Sequence, residues 1–126
     1  MSEAHEIDVL RKVMDGFNAH DVESIVGYFT DDAVFESPRG PDPWGRRYVG
    51  KDAVRDGFAA RFEGIPDVHY EDGGHFACGD RGVSEWTLTG TTTSGERVEV
   101  NGCDLWTFRD AQIVVKNSFW KIVDLA

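Results

Sequence analysis

The sequence is short of several things, and each shortage removes a class of function. It has two cysteines, Cys78 and Cys103, in 126 residues and no Cys-x-x-Cys. That rules out a disulfide scaffold and a thiolate metal knot, and both thiols are expected to be buried in strands. No apolar run approaches the roughly 18 residues a membrane span requires. Met1 to Asp8 is acidic and polar, with no apolar stretch of the export-signal kind. Secretion and membrane insertion are disfavoured, and a cytoplasmic protein is expected. Basic residues are scarce as well: 13 Lys and Arg face 23 Asp and Glu, a net charge of −10. Each half of the chain carries half of that deficit, so there is no basic half. Nucleic-acid affinity needs clustered Lys and Arg against phosphates, so a nucleic-acid partner is not expected. No glycine-rich phosphate loop, dinucleotide fingerprint or Gly-x-Ser-x-Gly elbow is present, and nothing demands a cofactor. His69, Glu71 and His75 alternate along one strand-like run. In an extended chain the two histidines stand roughly 20 Å apart, so no metal site is expected.

What remains is a chain with 40% hydrophobic and 29% charged residues, ordinary for a soluble domain. Its length fits one domain over residues 1–126, large enough to bury about two-thirds of its unfolded surface. Ile7, Leu10, Val13, Met14 and Phe17 recur at helical spacing. Asp21 reads as an N-cap for a second apolar stripe, Val22, Ile25, Val26 and Phe29, which the Asp31-Asp32 pair ends. A short strand runs from Ala33 to Ser37, stopped by Pro38. Residues 38–50 read as a loop holding Trp44 and Tyr48, aromatics placed to fold back as a lid or simply to pack. The loop's Arg39, Arg46, Arg47 and Lys51 suggest a solvated surface, with a gate for an anionic ligand as the sharper alternative. A third helix spans about Lys51 to Phe62, ended by Gly64 and Pro66. From Asp67 the apolar period becomes two. Strands are expected near Val68–Ala77, Gly82–Thr92, Glu96–Arg109 and Ile113–Val123, joined by short turns. Helices first and an antiparallel meander after imply an α+β fold with a cone-shaped cavity under a curved sheet.

Asp104 is the most informative residue. Strand alternation puts it on one face with Val98, Val100, Trp106 and Phe108. A buried carboxylate is costly, so it must pair, accept hydrogen bonds or keep its proton. It is either a satisfied polar contact or an acid/base with a raised pKa facing a pocket. Glu85 and His75 are weaker catalytic candidates. Glu85 shares a face with Val83, Thr87 and Thr89, an outer surface or a polar cavity wall, and His75 could reach a pocket as an acid or base.

The pattern as a whole resembles the nuclear-transport-factor-2-like superfamily, in its SnoaL-like and ketosteroid-isomerase-like branches. The resemblance rests on Asp21-Val22-Glu23-Ser24-Ile25-Val26, on Phe29 to Pro38, on Gly50-Lys51-Asp52-Ala53, on Val100-Asn101-Gly102-Cys103-Asp104 and on Trp106-Thr107-Phe108-Arg109-Asp110. It implies three N-terminal helices packed in the concave face of a strongly curved, mixed, mainly antiparallel sheet, forming a cone-like α+β barrel. It implies a homodimer. It places Asp104 at the oxyanion-hole aspartic acid of the ketosteroid isomerases and Trp120 at a pocket aromatic. It places Ser37 where those enzymes keep their general base and Val13 where they keep a tyrosine, which argues against steroid isomerisation. Members include enzymes and binding domains alike. The resemblance implies a cofactor-free isomerase, cyclase or dehydratase acting on a small apolar carbonyl compound through Asp104, assisted by His75 or Glu85. Phe17, Phe35, Ser37, Tyr48, Phe58, Trp106 and Trp120 would line its pocket, with Trp44 or Tyr48 closing it. The alternative is a non-catalytic binding or dimerisation module of the same fold.

Overall fold

A computed structural model describes residues 2–124 of the chain. Helix α1 (Ser2–Asn18) buries Val9, Leu10, Val13, Met14 and Phe17, a stripe at helical spacing that faces a sheet. The turn that follows it contains His20, which takes a left-handed φ of 55°. The helix's last turn is tied down by Asn18, whose side-chain amide donates to the Tyr70 carbonyl (2.9 Å) and accepts from the Tyr70 N–H (2.8 Å). Helix α2 (Val22–Val26) starts at Asp21, whose carboxylate accepts from the Ser24 N–H at 3.2 Å, as the capping pattern predicts. Helix α3 (Lys51–Gly64) buries Val54 and Phe58.

The six strands are β1 (Phe29–Glu36), β2 (Arg47–Val49), β3 (His69–Cys78), β4 (Arg81–Thr91), β5 (Arg97–Arg109) and β6 (Gln112–Trp120). They form one mixed sheet in the order β2-β1-β6-β5-β4-β3, antiparallel except for the β1–β6 pair. The fold is α+β, with the helices against one face of the sheet. The sheet does not close into a barrel, since β2 and β3 are its free edges.

Three expectations about the elements are corrected. Asp31 and Asp32 do not end α2 but lie within β1, which begins at Phe29, because Phe29 and Ala33 are core residues that a strand here delivers to the sheet's inner face. The loop after Pro38 contains a strand, β2, held to β1 by pairing of Tyr48 with Phe35 and stacking of their rings 5.5 Å apart. Strand β6 stops at Trp120, and Ile122 and Val123 are exposed beyond it. Cys78 is exposed and Cys103 half-buried, so neither thiol is a core group.

Two strands carry bulges that matter for the site. In β3 the register with β4 shifts between Asp72 and Gly74, so His75 turns to the inner face opposite Ser84. His75 therefore does not share a face with His69 and Glu71 as unbroken alternation predicts. In β6, Val115 pairs with Thr107 and Ile113 with Phe108, which skips Val114. Both Ile113 and Lys116 consequently face inward.

Candidate active site

The inner face of β4, β5 and β6 carries a row of polar residues set among large rings. Cross-strand register aligns Ser84, Asp104 and Ser118, with Trp106 opposite Lys116 and Trp86 opposite Gly102. The lack of a side chain at Gly102 is what admits the Trp86 indole. A Cβ there would stand 2.4 Å from the indole Cη2 and 2.5 Å from the Phe119 carbonyl oxygen. The indole then reaches along the strand and its Nε1–H donates to Asp104 Oδ2 at 2.9 Å. The Trp106 indole crosses the other way and donates to Ser84 Oγ, also at 2.9 Å.

Asp104 is 4% exposed and is not a solitary carboxyl. Its Oδ1 accepts from the Lys116 ammonium at 3.0 Å and from the Ser118 hydroxyl at 2.6 Å. The ammonium also donates to Ser118 Oγ at 2.6 Å. Lys116 is 5% exposed, and its Nζ lies 4.8 Å from the Phe35 ring centre, 5.2 Å from Phe17, 5.6 Å from Trp106 and 5.8 Å from Phe58. Ring faces at these distances attract a cation. Burial pushes the Lys116 ammonium below its ordinary value, and the Asp104 charge and hydrogen bond pull it back up. Of the three expected outcomes for this carboxyl, the structure shows pairing and hydrogen bonding together, in a buried ion pair. The reason is register: Lys116 pairs with Trp106 and shares the inner face with Ser118 and Trp120.

Hydrogen-bond capacity shows what is free. A carboxylate has about four lone-pair positions and an ammonium three N–H donors. Among the described residues, Asp104 receives three donors, and Lys116 has two oxygen acceptors. One position on Oδ2 and one ammonium N–H remain for a guest.

The pair borders two adjoining pockets, each with internal room for about one water in this conformation. The first lies between α1 and the sheet, walled by Leu10, Val13, Met14 and Phe17 against Ser84, Asp104 and Trp106. The second has Phe35, Phe58, Pro38, Arg61, Ser118 and Trp120. Tyr70, Trp86, Phe17 and Lys116 border both. Burial pushes the Tyr70 hydroxyl above its ordinary range, so it stays a neutral O–H group.

The structure thus brings together Asp104, Phe17, Phe35, Phe58, Trp106 and Trp120 from the expected set. Tyr48 stands behind Phe35 rather than in the pocket wall. Ser37 is a turn residue: its hydroxyl donates to the Arg39 carbonyl at 2.8 Å and accepts from the Arg46 N–H at 3.2 Å. Trp44 is 42% exposed under the Arg47 guanidinium, 4.4 Å away, and closes no pocket in this conformation. Glu85 is exposed on the outer face, which strand alternation opposite Ser84 and Trp86 enforces. Arg47 pairs with Glu36 and Lys51 with Asp31, so half of the basic loop is spent on surface pairs. His75 joins the inner face through Ser84, at 2.7 Å from its hydroxyl. Sequence reasoning missed Lys116, Ser118, Ser84 and Tyr70. Lys116 and Ser118 share strand parity with Trp120, and that parity was the available signal.

Among solved structures, an NTF2-like protein of unknown function from Mesorhizobium loti is 23% identical, with a TM-score of 0.80 over 97% of this chain and 95% of its own. SalBIII, an epoxide hydrolase/cyclase-like enzyme of pyran ring formation in the polyether salinomycin, is 24% identical, with a TM-score of 0.81 over 97% of this chain and 95% of its own. TerC, crystallised with polyporic acid, is 18% identical, with a TM-score of 0.78 over 93% of this chain and 92% of its own. At these identities the likeness is one of fold. No curated protein matches the sequence. The SnoaL-like domain, however, matches residues 10–116, most of the chain and every residue of the buried pair, so the chain belongs to the SnoaL-like domain family.

Proposed function

We propose that the protein is an acid/base enzyme acting on a small, largely apolar, carbonyl-bearing molecule held between α1, α3 and the sheet. One observation carries this reading: an aspartate and a lysine, both buried, meet among aromatic rings at the junction of two pockets, each with one hydrogen-bonding position unused. A carbonyl oxygen accepting the spare Lys116 N–H would place an acidic C–H near Asp104 Oδ2. The carboxylate takes that proton and the ammonium holds the charge that develops on oxygen. Returning the proton elsewhere gives isomerisation; attack of the enolate on a second carbonyl gives cyclisation; loss of a β-hydroxyl gives dehydration. These steps need no cofactor. A cyclase-like relative and a ligand-bound relative of the same fold support a small-molecule role.

The test is exchange of the α-protons of 2-tetralone and related cyclic ketones in heavy water, followed by NMR. The wild type should catalyse exchange, and Asp104→Asn should lower it by about 100-fold or more. Turnover that survives the substitution within about threefold would remove Asp104 from the chemistry.

A second reading is favoured by the opposite face of the sheet. Phe76, Val83 and Leu105 align there across β3, β4 and β5, and Phe119 is exposed on β6 beside Cys103. This apolar row suits a second copy of the chain, so the protein is proposed to be a homodimer, whether or not it is a catalyst. Sedimentation as a monomer at about 100 μM would refute the dimer.

A further inference from the structure

A second group of side chains, outside the Asp104 pair, is arranged for proton transfer. His75 Nδ1 lies 2.7 Å from Ser84 Oγ, and His75 Nε2 lies 3.0 Å from Asp72 Oδ2. The His75 side chain is 2% exposed and that of Asp72 is 48% exposed, so the chain of contacts runs from water through a buried ring to the cavity wall. The backbone is built for it. The β3 bulge falls between Asp72 and Gly74. A Cβ on Gly73 would stand 2.9 Å from the Glu85 carbonyl oxygen, and Gly74 has a φ of +125°, a region that favours glycine. The Gly74 N–H donates to Asp72 Oδ1 at 2.8 Å, which fixes the carboxylate while its other oxygen meets His75. Without the bulge, His75 would face outward. The remaining titratable groups around the ring are Asp104 and Lys116 across β4 and β5, Glu85 on the outer face of β4, and Glu6, buried on the helix that packs against β3.

We propose that Asp72, His75 and Ser84 form a proton relay that receives the proton of an acidic ligand hydroxyl, of the phenol or enol class, bound against the Ser84 wall of the cavity. The relay deepens the small-molecule reading above and rests on it. At rest, Asp72 can only accept, so His75 carries its proton on Nε2 and its Nδ1 accepts from Ser84. Ser84 Oγ also accepts the Trp106 indole N–H, and one lone pair is left for a ligand. When the ligand O–H gives its proton to Oγ, the original Ser84 proton passes to Nδ1. The ring becomes imidazolium with both nitrogens protonated, facing the Asp72 carboxylate. Ser84 then donates its new O–H to the ligand oxyanion. No heavy-atom bond changes; one proton moves from ligand to His75 and returns in reverse on release.

The probe is 4-nitrophenol, whose neutral and ionised forms absorb at different wavelengths. It is titrated with the protein at about one unit below its own pKa. The bound probe should absorb as phenolate, and ¹⁵N NMR of histidine-labelled protein should show both His75 nitrogens protonated in that complex. His75→Gln should bind the probe in its neutral form. Asp72→Asn, which keeps an acceptor for Gly74, should lower the phenolate fraction of the bound probe several-fold. A purely structural contact would not move that fraction. A neutral probe in the wild type overturns the relay. So does a phenolate band that persists in both variants, which would assign the charge to Lys116, and so does the lack of saturable binding up to the probe's solubility. Ketone exchange reports Asp104 and the phenol spectrum reports His75, so each reading can fail alone.

Discussion

Two polar clusters lie side by side on the inner face, one on β5 and β6 and the other on β3 and β4, and they are built on opposite terms. Asp104, Lys116 and Ser118 are all buried, and their bonds run among themselves and to the Trp86 indole. Asp72, His75 and Ser84 begin at an exposed carboxylate and end at the Trp106 indole. The two indoles cross, each starting on the strand opposite its acceptor. The same donor type therefore serves a charged group in one cluster and a hydroxyl in the other. The first is a fixed pair of charges that water does not screen. The second keeps a contact with water. A closed pair suits holding a charge on a guest, and an open chain suits moving a proton.

The sharpest way to break this contrast is Lys116→Met. It leaves the Asp104 carboxylate buried without its counter-charge, and breaking such a pair costs about 3–5 kcal/mol. Urea unfolding should show a loss of that order. Adding Asp104→Leu should recover most of it, since replacing both partners removes the stranded charge. A double variant no more stable than the single one would mean that the pair is not the source of the loss. The lysine also gives the pair a pH signature. Its folded value lies below the ordinary 10.5, so the folded state holds this proton less tightly than the unfolded chain. The cost of charging Lys116 in the fold is fully present below the folded value and is relieved as pH rises through the window that ends at 10.5. The stability of the wild type relative to Lys116→Met should therefore climb with pH in that window. A flat difference would contradict the direction given by burial.

The crossed indoles allow a finer comparison. Trp86→Phe keeps a ring but removes a donor to a charged oxygen and should cost about 1.5–3 kcal/mol. Trp106→Phe removes a donor to a hydroxyl that still has His75, and about 0.5–1.5 kcal/mol is expected. Matched thermal melts of the two variants read the difference. Equal losses would mean that Asp104 is no more demanding of its donor than Ser84 is.

How much of this was readable in the chain depends on where alternation holds. On β5 it runs unbroken through the residues that matter, so the inward position of Asp104 and its company of Val100, Trp106 and Phe108 follow from the sequence. On β3 and β6 a bulge resets the period. Bulges depend on how two strands meet, which one strand's sequence does not state. That is why His75 appeared to share a face with Glu71. Lys116 failed for a different reason. Trp120 was assigned to the cavity, and Lys116 lies on its side of the strand, yet a lysine is almost never fully buried unless it is paired. Its partner sits 12 residues away. Residues 37–48 were least legible. Their aromatics suggest a lid, but the Ser37 hydroxyl and the Arg47–Trp44 stack settle the loop through contacts within the segment itself, whose geometry residue types alone do not state.

The smallest effect expected lies outside both clusters and calibrates them. Arg109 on β5 grips Asp32 on β1 through two nitrogens, at 2.6 and 3.1 Å, with both side chains more than half exposed. The Arg109 hydrogen bonds hold the Asp32 carboxyl down at about 2, below its usual value. A depressed carboxylate contributes stability that is present above its unfolded value of 3.8 and is lost as pH falls toward 2. Arg109→Ala should accordingly leave the neutral-pH melting temperature close to that of the wild type, since water screens such pairs. The two curves should converge further in acid as the wild type loses its advantage. A large loss at neutral pH would show that geometry across the β1–β5 gap, rather than burial, sets what an ion pair is worth in this fold. The contrast between the closed and the open cluster would then need another explanation.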